Sequence, residues 1–173
     1  LPWLVLALFG GFISVHVLGI FEPVMDLHPE LFFFTPLIAA MAGNVGVQSS
    51  AIIVQGLANN TIIGPVVERL LKELSLSLLN GVILSIILLA GSYFLLGYEI
   101  HVGYTVSIAL LSVIIMASLI GTFIPIILNK YNIDPALATG PFITTSNDIL
   151  GILTYFTIAK IIFFFFFNHI LQE

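Results

Sequence analysis

The 173-residue sequence has no cysteine, and only four Lys or Arg residues stand against nine Asp or Glu. The lack of cysteine excludes disulfides, thiolate metal centres and cysteine nucleophiles, and leaves the redox compartment open. A formal net charge of −5 excludes the basic footprint that nucleic-acid binding requires. Charge of either sign is scarce: 8% of residues are charged, where soluble domains carry ~25%. The first apolar stretch has no basic n-region and no small-residue cleavage site, so it does not read as a cleaved signal peptide. Enzyme signatures are missing as well. There is no HExxH, G-x-S-x-G or P-loop, and no second intramembrane aspartate to build a carboxylate pair. The chain does not read as an enzyme.

What is present is hydrocarbon. Apolar residues make up 60% of the chain and the mean hydropathy is +1.20. So few charges cannot cover a globular surface, so the bilayer replaces the missing polar exterior. A span needs roughly 20 apolar residues. Segments near 2–21, 31–58, 70–97, 102–129 and 138–168 qualify, which predicts an all-α integral membrane protein with five transmembrane helices in a single domain over 1–173. The abrupt start at Leu1-Pro2-Trp3, already at a membrane boundary, reads as a membrane domain of a longer protein. Trp3 and the run Phe163 to Phe167 suit interfacial or lipid-facing positions.

The connections carry the topology. Arg69, Lys72 and Lys130 lie in or beside the second and fourth, whereas the first and third hold Glu22, Asp26, Glu30 and Glu99 but no Lys or Arg. By the positive-inside rule the N-terminus is cytoplasmic and the C-terminus outside.

Polar groups are expensive in hydrocarbon, so their positions are informative. In the last span Pro141, Thr144, Asp148, Gly151 and Tyr155 fall on one helical stripe, with Thr145 beside it. Asp148 is the only carboxylate deep inside a span, and Lys160, twelve residues on, is too far along the helix to pair with it. In the second span Asn44, Gln48 and Gln55 share a face, accompanied by the small residues Ala39, Gly43, Gly46 and Ser50. Amide bonding between close-packed helices and ion passage explain that segment about equally. Glu73 shares a stripe with Ser77 and Asn80, and reads either as a vestibule ligand or as a solvated boundary charge beside Lys72. His16, among Gly10, Gly11, Ser14 and Gly19, is expected to pack against a neighbouring helix.

Two longer motifs carry a resemblance. Ala42-Gly43-Asn44-Val45-Gly46-Val47-Gln48-Ser49-Ser50 resembles the second transmembrane helix of the MgtE magnesium channels. Asp134-Pro135-Ala136-Leu137, then Gly140-Pro141-Phe142, Thr144-Thr145, Asp148 and Gly151, resembles that family's last helix. Leu1-Pro2-Trp3, Lys72-Glu73, and Gly121 with Pro125 also fall where the family pattern puts them. The resemblance implies a homodimer in the cell (plasma or inner) membrane, with a central pore lined mainly by the second and fifth helices. It implies that Asp148 holds a hydrated Mg²⁺. Some members carry asparagine where this chain has Val47 and Gly140, so no side-chain contact is implied there.

The expected ligand set is Asp148, the Thr144 hydroxyl and the backbone at Gly140. Asn44, Gln48, Pro141, Thr145, Gly151 and Tyr155 are the pore-lining candidates and Glu73 the vestibule candidate. Mg²⁺ takes octahedral oxygen ligands and gives up water reluctantly, so few carboxylates and several waters suit it. Expected partners are membrane lipid, a second copy of the chain and Mg²⁺ as cargo, with no organic cofactor and no nucleic acid. An ion-coupled Mg²⁺ exchanger is the alternative, and a non-conducting scaffold subunit a third. In a two-fold pair, the small-residue stripe of the second span would bring both Asp148 carboxylates near one ion.

Overall fold

The computed structural model describes residues 1–61, 65–138 and 140–164, with the backbone alone at Pro2, Trp3, Leu137 and Ala138. Among these residues the chain is all-helical. In order come α1 (Pro2–Ile20), α2 (Glu22–Leu27), α3 (Glu30–Ala58), α4 (Val66–Phe94), α5 (Ile100–Lys130), a 3₁₀ turn (Pro135–Ala138) and α6 (Pro141–Ile162). The helices α3, α4 and α5, of 29, 29 and 31 residues, are long and apolar enough to cross a membrane. At 1.5 Å per residue they reach about 44–47 Å, more than the ~30 Å hydrocarbon core.

Two elements differ from the sequence expectation. Glu22–Leu27, expected as an acidic connection, forms the short helix α2 with Pro23 in its first turn, where proline's missing N–H costs no hydrogen bond. The last helix was expected from residue 138 with Pro141 inside it, but it starts at Pro141. Gly140 precedes it at φ +91°, a conformation only glycine adopts without strain, and Pro141 then occupies the first helical turn. Ahead of it the Asp134 carboxylate accepts the Ala136 N–H at 2.9 Å and fixes the Pro135–Ala138 turn.

The core lies where α3, α5 and α6 meet. Leu31, Ile38, Ala42, Val106, Val113, Ala117, Tyr155 and Phe156 are almost fully buried there. Half (50%) of the apolar stretch of α5 is buried but only 11% of that of α4, so α5 is central and α4 peripheral. Helix α1 packs on α6, and α4 on α5.

In lipid the hydrophobic effect does not drive helices together, so close packing must do so. Small residues supply the contacts. A side chain on Gly121 would run into the backbone of Gly46, and one on Gly151 would meet the Ala42 methyl at 2.9 Å. Of the stripe Ala39, Gly43, Gly46 and Ser50, the two glycines pack against α5 and α6 of the same protomer and Ser50 is buried, whereas Ala39 is half-buried.

Two smaller expectations change. Phe163, expected at the lipid boundary, is buried with its ring stacked on His28 at 3.6 Å, whereas Phe164 is exposed. His16, expected to pack, is exposed on α1, whose close contact with α6 is made at Gly10 against Thr145. The interfacial placement of Trp3 and of Phe165 to Phe167 lies outside the described side chains.

Candidate functional site

The first turns of α6 set the geometry around Asp148. The Gly140 carbonyl accepts both the N–H and the hydroxyl of Thr144, at 3.1 and 3.0 Å. A carbonyl has two lone pairs, so these bonds use both. Gly140 therefore turns the chain here, and its carbonyl, expected from sequence as a metal ligand, already accepts these two bonds. The same bond commits the Thr144 hydrogen and leaves the Thr144 oxygen as an acceptor.

One helical turn further on, Asp148 is partly buried, with Oδ1 lying 3.8 Å from where a Cβ on Gly43 would stand. The absence of a side chain on Gly43 lets the carboxylate lie against the α3 backbone. Among the described residues Asp148 makes no hydrogen bond and no ion pair, with Lys160 exposed in the last turn of α6.

Gly140, Pro141, Thr144, Thr145 and Asp148 line one cleft of about 410 Å³, closed on its other side by Ala7, Gly11 and Ser14 of α1. The polar side chains that line it, Ser14, Thr144, Thr145 and Asp148, carry oxygen as their only polar element. Thr145 reaches α1 with its methyl, which fills the space over Gly10. These α1 residues were missed as cleft walls. The Gly10-Gly11 pair signalled a close approach, but not which helix approaches.

A second cleft, of about 240 Å³, lies between α3, α4 and α5 and contains Gln48, Arg69, Glu73, Ser77 and Asn80. Glu73 Oε1 accepts the hydroxyls of Ser49 at 2.7 Å and Ser118 at 2.5 Å, and the two serine oxygens lie 3.2 Å apart. Glu73, on α4, thus accepts through Oε1 from α3 and α5 and bridges three helices. Ser49 and Ser118 were not singled out in the sequence, since an intramembrane serine usually bonds its own helix, as Ser112 does to the Ile108 carbonyl.

The remaining candidates separate. Asn44, Gln48 and Gln55 all lie on the exposed side of α3. Gly151 packs on Ala42, and Tyr155 is fully buried with its hydroxyl donating to the Leu31 carbonyl at 2.9 Å. The Pro141-to-Tyr155 stripe is therefore cleft-lining at its start and core at its end, so Gly151 and Tyr155 are packing residues of the protomer and not cleft walls. Asn147, passed over in the sequence, is fully buried against Gly46, and neither of its polar atoms has a partner among the described residues. Among the described residues no three of His, Cys, Asp and Glu converge.

Comparison with known proteins adds an independent observation. The family model MgtE, described as a divalent cation transporter, matches residues 35–158. The chain is 39% identical to the magnesium transporter MgtE of Bacillus subtilis, over 92% of this chain and 35% of that protein. It is 34% identical to the Enterococcus faecalis magnesium transporter MgtE, over 96% of this chain and 37% of that protein. Against the Thermus thermophilus magnesium transporter MgtE the identity is 31%, over 92% and 35%. The chain thus spans about a third of the length of these relatives.

Proposed function

The chain belongs to the MgtE family of divalent cation transporters, and from that premise we propose that it is the membrane part of a channel passing largely hydrated Mg²⁺. The observation that carries the proposal is Asp148, a partly exposed carboxylate unpaired among the described residues, in a cleft whose polar side chains all bear oxygen. A charge at that depth costs about 2.5–3.5 kcal/mol on insertion scales, which a cation's attraction offsets. The carboxylate and the Thr144 oxygen act as acceptors toward the waters of the hydrated ion. Mg²⁺ surrenders water reluctantly, so an open cleft with one charge suits it better than a closed cage.

In this reading α1, α3, α4, α5 and α6 are the five spans. With 19 and 22 residues, α1 and α6 fall inside the ~17–25 residues a span requires. Helix α6 falls short on hydropathy because Thr144, Thr145, Ser146, Asn147 and Asp148 are consecutive, as a polar wall would demand.

The conducting unit is a homodimer. Exposed amides at Asn44, Gln48 and Gln55 along a membrane helix are costly against lipid, and a second copy or a water-filled pore relieves that cost. One carboxylate half-neutralises a dication, and two-fold symmetry supplies the second. The end of the bundle holding Arg69, Lys72 and Lys130 faces the cytoplasm, with the N-terminus on that side. A cysteine at Asn60 of this cysteine-free chain labels from the cytoplasmic side, and labelling from outside would reverse the assignment.

Mg²⁺ uptake into proteoliposomes tests the main reading. Asp148→Asn keeps the shape and removes the charge, and it abolishes selective flux while the protein stays folded and dimeric. Transport at the wild-type rate by that variant would remove Asp148 from the pathway.

A further inference from the structure

We propose that the cleft where α3 and α5 end and α4 begins binds the phosphate headgroup of an anionic membrane lipid. Three of the chain's four Lys and Arg residues, Arg69, Lys72 and Lys130, line this one cleft of about 450 Å³. Among the described residues Glu68 is the only acid lining it. Three positive charges and one negative leave +2 here, in a chain whose formal net charge is −5.

The charges are not equally engaged. Lys72 and Glu68 pair with each other at 2.8 Å, with side chains 65% and 59% exposed on the rim. Arg69 is more enclosed. Its Nε is buried and has no acceptor among the described residues, and it forms no ion pair there with Glu68 or with Glu73, the acid of the adjoining cleft. Lys130, in the last turn of α5, likewise forms no ion pair among the described residues. A planar guanidinium with a hidden donor, beside a free ammonium, matches the oxygens of a phosphate.

The rest of the cleft decides between a free anion and a lipid. Ile52, Leu57, Val66 and Ile126 give it an apolar wall. On the neighbouring turns of α4, Val67 and Leu71 are 66% and 58% exposed, on a helix apolar enough to span the membrane. A hydrated phosphate or an acidic peptide has no use for that wall, whereas a phospholipid places its headgroup on the basic rim and its chains along α4. Basic pockets between helices at the membrane boundary have this character. The inference rests on the membrane-spanning nature of α3–α5 and not on ion conduction.

Native mass spectrometry of the purified full-length protein, offered equal phosphatidylglycerol and phosphatidylcholine, tests it. The wild type retains phosphatidylglycerol preferentially, and Arg69→Gln with Lys130→Gln lowers that preference about 20- to 30-fold. The charge-conserving pair Arg69→Lys with Lys130→Arg keeps most of it. Should the double variant fail to fold, Lys130→Gln alone, at an exposed position, gives about a fivefold drop. The proposal falls if the wild type has no preference, or if removing the charges leaves the preference unchanged. It also falls if excess inorganic phosphate strips the lipid from the wild type, which would make the cleft a site for free anions.

Discussion

Asp148 and Glu73 are both partly buried acids, one in the cleft between α1 and α6, the other between α3, α4 and α5. Glu73 already receives two serine hydroxyls, so its charge is partly compensated inside the protomer. Asp148 has neither hydrogen-bond donor nor cation partner among the described residues, and it lies over the bare backbone of Gly43. A carboxylate that receives hydroxyls from two neighbouring helices joins them, and one that receives none is left to attract what diffuses in. Burial does not separate these roles, since both acids are partly buried, but hydrogen-bond bookkeeping does.

The comparison is sharpest under isosteric neutralisation. Asp148→Asn is expected to lower Mg²⁺ flux by on the order of 100-fold or more, at least the upper end of what loss of a supporting group costs a metal site. Glu73→Gln keeps an amide oxygen for both serines, so it costs about 1 kcal/mol of stability and leaves flux within about twofold in the same uptake assay. Equal loss of flux in both variants would erase the distinction and make Glu73 part of the ion path.

Next in size is the packing that holds α3 beneath Asp148. Gly121→Ala drives a methyl into the Gly46 backbone and is expected to cost about 1–3 kcal/mol. The thermal midpoint in detergent reports it, and an unchanged midpoint would mean that α3 and α5 do not cross at these glycines.

The smallest effect divides the α6 stripe. Tyr155→Phe removes the bond to the Leu31 carbonyl and is expected to cost about 1 kcal/mol, with ion selectivity unchanged. A shift in the Mg²⁺ to Ca²⁺ flux ratio would return Tyr155 to the pore lining.

Much of this was legible in the sequence, for physical reasons. Hydrophobic length alone marks α3, α4 and α5, since lipid requires long apolar runs. Asp148 stood out because a deep carboxylate is rare for energetic reasons, whereas Pro141, expected inside the last span, opens α6. Helical periodicity grouped Pro141, Thr144, Asp148, Gly151 and Tyr155 correctly on one stripe, but a stripe does not reveal where its neighbours end. Helix α1 flanks the stripe's first half and α3 covers its second. The glycines of α3 signalled close approach without naming the partner, which proved to be α5 and α6 of the same chain. The role of Glu73 depends on Ser49 and Ser118, 24 and 45 residues away, and no local pattern encodes such a contact.

The central claim is that two Asp148 carboxylates share one ion on a two-fold axis. A covalently linked dimer carrying Asp148→Asn in one half tests it in a single-channel or proteoliposome Mg²⁺ measurement. A shared site predicts selectivity well below the mean of the wild-type and doubly substituted dimers. Half the wild-type flux at full selectivity would instead mean that each chain conducts by itself.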